Sequence, residues 1–137
     1  MRARILIVDD DQVYLAGMKE LLEDAGYDVF LAGSFEEGKH VLRDRAPHLL
    51  IVDVRLGAFN GLQLLSTGQV QIPAIVVTGF DDTVLRADAK VFGASYVVKP
   101  ISPAALLTLI ERKLGLSESV DTGSNPLLVR DTSAELP

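Results

Sequence analysis

The sequence predicts an α/β fold in which a five-stranded parallel sheet is covered by helices on both faces. Five short apolar runs, rich in Val and Ile and mostly free of alternating polar residues, occur at 5–8, 29–31, 49–52, 74–77 and 96–98. Continuous runs of this kind are typical of strands that are buried on both sides. Between them, apolar residues recur at helical spacing, so strand and helix alternate. Such alternation predicts a doubly wound sheet with right-handed crossovers.

Small polar residues and glycines indicate where the helices begin and end. Asp11 precedes the first helical stretch as an expected N-cap, and Gly26 follows that stretch as a stop signal. Ser34 and Glu37 have the spacing of a capping box at the start of the second helix. Ser102, followed by a proline, marks the start of the fifth helix.

Length and composition are those of a single globular domain. The chain has 137 residues, of which 48% are hydrophobic and 23% charged, and a domain of this size can bury a sizeable core. We place this domain at residues 1–116. From Ser117 onward the chain turns to Ser, Asp, Thr, Gly, Asn and Pro. Residues 117–137 are therefore expected to form a flexible tail or the start of a linker.

The charge and the lack of cysteine exclude several kinds of function. The formal net charge is -6, and an acidic surface repels the phosphates of nucleic acids and anionic lipids. We therefore expect this domain to bind neither nucleic acid nor a membrane. Without cysteine there is no disulfide, thiolate metal site or cysteine nucleophile. The apolar run near the N-terminus is too short for a signal peptide or a membrane span, which predicts a cytoplasmic protein.

Residues with complementary chemistry lie at the ends of four predicted strands. Acidic residues 9–11 follow the first strand, Asp53 follows the third, Thr78 follows the fourth and Lys99 follows the fifth. In an open α/β sheet these ends meet at one edge, where ligands bind. Crowded carboxylates need a cation, and oxygen ligands at such an edge suit Mg2+ together with a phosphate. An aspartate can itself be the nucleophile, while an ammonium and a hydroxyl stabilise the phosphoryl group.

Over residues 4–115 the chain resembles the response-regulator receiver domain of two-component signalling, which includes the chemotaxis regulators. The matching stretches occur in the family's order and at its separations: Ile5–Asp10, Leu50–Asp53, Asn60-Gly61, Ile75–Thr78 and Gly93–Pro100. Each residue taken alone has an ordinary explanation as a turn former, a helix cap or a solvated side chain, but the combination is specific. The resemblance implies the flavodoxin-like strand order 2-1-3-4-5.

The resemblance also implies how the edge residues would work. Asp53 corresponds to the phosphoacceptor. Asp9 and Asp10 correspond to the acidic pair that holds Mg2+ beside Asp53, one directly and the other through water, and Arg55 would lend its backbone carbonyl to the metal.

Three further residues correspond to groups that respond to phosphorylation. Lys99 would pair with the phosphoryl group, and Thr78 would move to form a hydrogen bond with it. Tyr96 is similar to the aromatic residue that rotates inward when Thr78 moves.

The implied reaction is transfer of a phosphoryl group to Asp53 from a histidine kinase or a histidine phosphotransfer protein, followed by hydrolysis. The chain would then be no enzyme for other molecules, because it catalyses only its own phosphorylation and dephosphorylation. Phosphorylation would shift the population between two conformers. The face built from the fourth helix, the fifth strand and the fifth helix would report this shift, and it is a candidate homodimer surface.

The chain departs from the family pattern at several positions. Gly57 replaces a frequent Pro, Asn60 replaces a frequent Asp, and the stretch Gly61–Pro73 is short, which predicts a clipped third helix. Arg55 and Phe80 occupy positions that flank the phosphoryl group in the family. Phe80 would shield the acyl phosphate from water and Arg55 would hold the phosphate, so we expect slow autodephosphorylation.

Two other functions fit parts of the same pattern. Segment 9–13 also resembles the Asp-x-Asp start of haloacid-dehalogenase-type phosphatases, in which Asp9 would be the nucleophile and Asp11 the general acid/base. That interpretation leaves Asp53 without a role and lacks an acidic metal-binding motif after Lys99. A pseudo-receiver that binds partners without being phosphorylated is the second alternative, and the complete set of edge residues counts against it.

Overall fold

A five-stranded parallel sheet forms the centre of the domain. The computed structural model describes residues 2–56, 59–66 and 72–115. Its strands are β1 (Arg4–Val8), β2 (Asp28–Ala32), β3 (Leu49–Val52), β4 (Arg55–Leu56), β5 (Phe59–Asn60), β6 (Ala74–Thr78) and β7 (Ser95–Val98). The large sheet has the order β2-β1-β3-β6-β7, and all its neighbouring strands are parallel. Counted within this sheet, the order is 2-1-3-4-5, so the predicted fold class is confirmed.

Of the helices in the described ranges, four lie in the connections between strands of the large sheet and the fifth follows its last strand. They are α1 (Gln12–Asp24), α2 (Phe35–Arg45), α3 (Leu62–Leu65), α4 (Thr83–Val91) and α5 (Pro103–Leu114). The third helix has only 4 residues, as the short stretch after Gly61 predicts. Each of the five predicted apolar runs lies within one strand of the large sheet.

Side-chain caps hold three helix starts where the sequence predicts them. The carboxylate of Asp11 accepts hydrogen bonds from two N–H groups in the first turn of α1. The hydroxyls of Ser34 and Ser102 each accept one such bond at the starts of α2 and α5. The predicted capping box is only partly formed, because the carboxylate of Glu37 accepts from the N–H of Gly33 rather than from that of Ser34. These caps determine where each helix leaves the sheet.

Two apolar layers cover the two faces of the sheet. Leu6 and Val8 of β1 pack with residues of α2, α3 and α4, whereas Ile5 and Ile7 pack with residues of α1 and α5. Successive side chains of a strand point to opposite faces, so a strand buried on both faces must be apolar at every position. This burial explains why the predicted strands read as continuous apolar runs.

The antiparallel hairpin of β4 and β5 is not predicted by the sequence. It pairs Arg55 with Asn60 and Leu56 with Phe59. Strands of two residues are too short to show an alternating pattern, so periodicity does not reveal them. The hairpin begins two residues after Asp53 and therefore shapes the edge of the sheet at which the candidate residues lie.

Some sequence-based expectations concern residues that the structure does not describe, namely 1, 57–58, 67–71 and 116–137. The domain boundary after residue 116, the tail at 117–137 and the effect of Gly57 therefore stay predictions. No helix within the described ranges is both long enough and apolar enough to cross a membrane.

The packing of α5 yields a stability prediction. Ile110 is fully buried in the layer between α5 and the sheet. Ile110→Ala is expected to lower the free energy of unfolding by about 2–5 kcal/mol, because it removes buried methyl groups and leaves a cavity. Thr108 lies exposed on the same helix, and Thr108→Ala is expected to change that free energy by less than about 0.5 kcal/mol. Urea denaturation measures both, and equal values would contradict the described packing.

Candidate functional site

The strand ends of the large sheet position three charged residues. Asp9, Asp53 and Lys99 directly follow β1, β3 and β7. Their backbone N–H groups continue the hydrogen-bond ladder of the sheet, because each donates to the last carbonyl of a neighbouring strand. Asp9 donates to β2 at 3.1 Å, Asp53 to β1 at 3.0 Å and Lys99 to β6 at 2.7 Å. The backbone of the site is therefore as firmly held as the sheet itself.

Lys99 lies between the two carboxylates. Its Nζ donates to Oδ2 of Asp9 at 2.9 Å and to Oδ2 of Asp53 at 3.2 Å. The side chains of Asp9, Asp53 and Lys99 are 3%, 13% and 24% exposed. Burial weakens screening by water, so these charges interact more strongly than a surface ion pair. Asp9 is thus almost fully enclosed, while Asp53 remains reachable from solvent.

Burial and the neighbouring charges have opposite effects on the pKa values of Asp9 and Lys99. Burial raises the pKa of the Asp9 carboxyl, and the hydrogen bonds from the Asp11 N–H and from Lys99 oppose that rise. Burial alone would lower the pKa of Lys99, but its hydrogen bond to Asp9 and the charge of Asp53 outweigh burial and raise that pKa. Lys99 is therefore a charged ammonium at neutral pH.

The loop after β3 orients Asp53 and depends on one glycine. Oδ1 of Asp53 accepts from the backbone N–H of Arg55 at 3.0 Å, while Oδ2 is engaged by Lys99. The backbone N–H of Gly61 donates to the carbonyl of Val54 at 2.6 Å. A Cβ at Gly61 would overlap the carbonyl oxygen of Asp53. Only a residue without a side chain allows this close approach of two backbone segments.

Thr78 and Tyr96 are linked through the backbone of Phe80. Thr78 is 1% exposed, and its Oγ1 accepts from the Phe80 N–H at 3.4 Å. The hydroxyl of Tyr96 donates to the carbonyl of Phe80 at 2.6 Å, with the tyrosine 7% exposed. The guanidinium of Arg86 lies 4.7 Å from the centroid of the Tyr96 ring. The two predicted switch residues are therefore neighbours in one hydrogen-bonded chain, and Tyr96 has an inward position.

Arg55 and Phe80 stack over the edge of the site. The Arg55 guanidinium lies 3.8 Å from the centroid of the Phe80 ring. Phe80 is 47% exposed, and Arg55 is also exposed. A stack of a guanidinium on an aromatic face is a favourable cation–π contact even at the surface. The two side chains that the family pattern assigns to the flanks of the phosphoryl group therefore contact each other.

The acidic residues supply two carboxylates to the centre of the site and one at its margin. Asp10 is exposed beside Asp9. Within the described ranges, no three His, Cys, Asp or Glu side chains converge on one metal position, and Asp9 and Asp53 share Lys99 instead. This donor set still fits Mg2+, which accepts one or two carboxylates and completes its shell with water.

Sequence reasoning missed two residues of the site, Tyr14 and Gly61. The ring centroid of Tyr14 lies 4.0 Å from Nζ of Lys99. In the sequence, Tyr14 looks like one more apolar position of α1. Nothing in its spacing indicates a contact with Lys99, which lies far away along the chain. Gly61 stands out in the sequence only as part of a family match, not as a contact of Asp53.

Comparison with known proteins agrees with this geometry. The family model for the response regulator receiver domain matches residues 5–111. The alginate biosynthesis transcriptional regulatory protein AlgB of Pseudomonas aeruginosa is 36% identical in an alignment of 117 residues that covers 82% of this chain. The DNA-binding response regulator MtrA of Mycolicibacterium smegmatis is 28% identical in an alignment of 140 residues that covers 100% of this chain. A CheY-like receiver domain protein from Methanospirillum hungatei JF-1 has a TM-score of 0.81 and 32% identity, covering 87% of this chain and 98% of its own.

The similarity to the regulators concerns only part of each. The chain spans 26% of the length of AlgB and 60% of the length of MtrA. The receiver structure from Methanospirillum hungatei, by contrast, is matched over nearly its whole length. The family model places the receiver domain at residues 5–111 of this chain.

The close approach at Gly61 yields a second stability prediction. Gly61→Ala is expected to lower the free energy of unfolding by about 1–3 kcal/mol, because the methyl group must push the Asp53 backbone away. A Cβ at Gly17 in α1 would meet only open space, and Gly17→Ala is expected to be neutral or stabilising by up to about 1 kcal/mol. Thermal and urea denaturation of both variants measure the difference. If the Gly61→Ala variant is as stable as the wild type, the backbones of Gly61 and Asp53 are not in close contact.

Proposed function

Because the chain belongs to the response regulator receiver domain family, we propose that Asp53 is its phosphoacceptor. The observation that carries the proposal is the ammonium of Lys99, held between Asp9 and Asp53 at 2.9 and 3.2 Å. A phosphoryl group on Asp53 would form beside a cation that is already charged and already in place. Positioning and charge neutralisation are most of what phosphoryl transfer requires of a protein.

The phosphoryl donor is a phosphohistidine on a histidine kinase or a histidine phosphotransfer protein. An oxygen of Asp53 forms a bond to phosphorus while the phosphorus–nitrogen bond breaks, and the electron pair of that bond stays with the imidazole. In the later hydrolysis water attacks phosphorus, which releases inorganic phosphate and restores the Asp53 carboxylate. The chain thus catalyses its own phosphorylation and dephosphorylation and no reaction of other molecules.

A divalent cation belongs to this proposal. Bound Mg2+ would neutralise negative charge on the phosphoryl oxygens. Asp9, Asp10, Asp53 and the backbone carbonyl of Arg55 would hold the ion. The buried carboxylate of Asp9 supports this assignment, because a buried charge needs a partner and Lys99 is shared with Asp53.

Thr78 would carry the signal away from Asp53. Its hydroxyl would donate to a phosphoryl oxygen, and the 3.4 Å bond that it now accepts from Phe80 is long enough to be given up at little cost. Tyr96 is bonded to the carbonyl of the same Phe80, so a shift of Thr78 would disturb the tyrosine. The face of α4, β7 and α5 would then change, and it serves as the output surface and candidate homodimer surface.

The setting of the domain follows from its charge and its relatives. We expect the domain to act in the cytoplasm, and its net charge of -6 disfavours direct binding to a membrane or to nucleic acid. AlgB is a transcriptional regulatory protein and MtrA a DNA-binding response regulator. By similarity, the recipient of the signal would be an effector that regulates transcription.

The phosphatase alternative is disfavoured by the position of Asp11. In that alternative Asp11 would be the general acid/base. Its Oδ1 instead accepts hydrogen bonds from the N–H groups of Val13 and Tyr14 at 3.0 and 3.2 Å, as the N-cap of α1. A carboxylate that caps a helix in this way is turned toward the backbone. It is therefore poorly placed to exchange protons with a substrate.

The main experiment is phosphorylation by acetyl phosphate and Mg2+, followed by intact mass spectrometry. The wild type is expected to gain one phosphoryl group, and the gain should disappear in Asp53→Asn and when Mg2+ is chelated. Asp53→Asn keeps the size of the side chain and removes the nucleophilic carboxylate. Peptide mapping of the wild type locates the label.

The matched variant is Asp9→Asn, which separates the alternatives. If hydrolysis of acetyl phosphate persists in Asp53→Asn but is lost in Asp9→Asn, the phosphatase mechanism would replace the proposal. If the wild type is labelled neither by acetyl phosphate nor by a phosphohistidine donor, the phosphoacceptor proposal would give way to a binding module that works without phosphorylation.

The stack of Arg55 on Phe80 predicts slow loss of the phosphoryl group. Phe80→Ala is expected to speed autodephosphorylation about two- to fivefold, since loss of an exposed cation–π contact of about 0.5–1 kcal/mol would uncover the acyl phosphate. Phe92→Ala is the control, because Phe92 has a similar exposure of 44% and follows α4. The decay of the labelled mass after removal of the donor measures the rate. Unchanged decay in Phe80→Ala would refute the shielding by Phe80.

A further inference from the structure

Two hydrogen bonds in series connect the backbone of Tyr14 to Asp9. The tyrosine lies in the first turn of α1, and its backbone N–H donates to Oδ1 of Asp11 at 3.2 Å. The N–H of Asp11 in turn donates to Oδ1 of Asp9 at 2.9 Å. The position of the tyrosine is therefore coupled to the carboxylate that also holds Lys99.

The ring of Tyr14 covers the ammonium of Lys99. Its centroid lies 4.0 Å from Nζ, well within the range of about 6 Å at which a cation is attracted to an aromatic face. The Lys99 side chain is 24% exposed, and a cation–π contact strengthens as water is removed. The ammonium thus contacts two carboxylates and one ring.

The hydroxyl of Tyr14 does not explain why the ring lies there. Its oxygen is buried and has no hydrogen-bond partner in the part of the chain that the structure describes. An unsatisfied buried hydroxyl opposes this placement. Burial raises the pKa of the hydroxyl, so the residue stays neutral and adds no anion next to the acidic cluster. The aromatic face is accordingly the part of the side chain that the site uses.

We propose that Tyr14 is a positioning residue for phosphoryl transfer: its ring holds the Lys99 ammonium at the point where the phosphoryl group forms on Asp53. The proposal rests on the assignment of Asp53 as phosphoacceptor. A lysine has a flexible four-carbon stem and a point charge, so its hydrogen bonds to Asp9 and Asp53 still leave the side chain some freedom to move. The ring limits this freedom before the donor arrives, and a displacement of about 1 Å in a reacting group can slow a reaction by as much as about a hundredfold.

The test compares Tyr14→Phe with Tyr14→Leu and Tyr14→Met. Phe keeps the aromatic face and removes the hydroxyl, whereas Leu and Met keep an apolar side chain and remove the face. The rate of labelling by acetyl phosphate is measured against donor concentration at saturating Mg2+. Phe is expected to match the wild type, while Leu and Met are expected to lower the maximal rate about three- to tenfold, a range between the effects of an exposed and a fully desolvated cation–π contact. The donor concentration at half the maximal rate should stay unchanged.

A spectroscopic measurement separates positioning from a general packing defect. A ring stacked on Lys99 shifts the proton resonances of the lysine Cε methylene upfield. This shift is expected in the wild type and in Tyr14→Phe and should be lost in Tyr14→Leu and Tyr14→Met. Since Leu and Met differ in shape, a folded protein from either one suffices.

Three results would overturn the role of Tyr14. They are a wild-type rate in Leu or Met, a Phe variant as slow as Leu, and a methylene shift that is absent from the wild type. Labelling that persists in Asp53→Asn is a different failure, since it would refute the phosphoacceptor itself and would be seen without any change at Tyr14.

Discussion

The site depends on one ammonium group shared by two carboxylates. Asp9 is almost completely enclosed, and an enclosed carboxylate without a partner would be strongly unfavourable. Lys99 meets this need only because β7 ends in the same edge of the sheet as β1 and β3, although the lysine lies far from both aspartates in the sequence. The parallel direction of these strands, which brings their ends to one edge, therefore serves the charges as well as the apolar core.

The rest of the site divides into a rigid part and a part that can move. The positions of Asp9, Asp53 and Lys99 follow from ladder hydrogen bonds of a sheet covered on both faces. Thr78 and Tyr96, in contrast, are joined through the exposed segment at Phe80, whose bond to Thr78 is long. Segments with few buried apolar contacts open at lower free energy than core strands. Under the proposed mechanism, a phosphoryl group on Asp53 would therefore alter this segment without disturbing the sheet that holds the charges.

The large sheet and the residues at its edge could be predicted from the sequence, because both depend on short patterns of neighbouring residues. Five apolar runs mark the buried strands, and the residues that follow them mark the edge. The hairpin after Asp53 could not be predicted, since two-residue strands have no period. The contacts of Tyr14 and Gly61 could not be predicted either, because a ring over a distant lysine and a backbone against a backbone depend on tertiary distances that spacing does not encode.

The acidic run at 9–11 shows how the fold assigns roles to identical side chains. The sequence alone permits Asp9 to be a nucleophile and Asp11 its proton donor, or Asp9 to be a metal ligand and Asp11 a cap. In the fold, β1 ends at Val8, so Asp9 is enclosed against Lys99 while Asp11 turns away to bond the first turn of α1. Both carboxylates are paired with the same ammonium, but Asp9 is only 3% exposed and is hardly accessible to a phosphoryl donor, whereas Asp53 retains 13% exposure. Burial, rather than residue type, thus favours Asp53 over Asp9 as the carboxylate that receives the phosphoryl group.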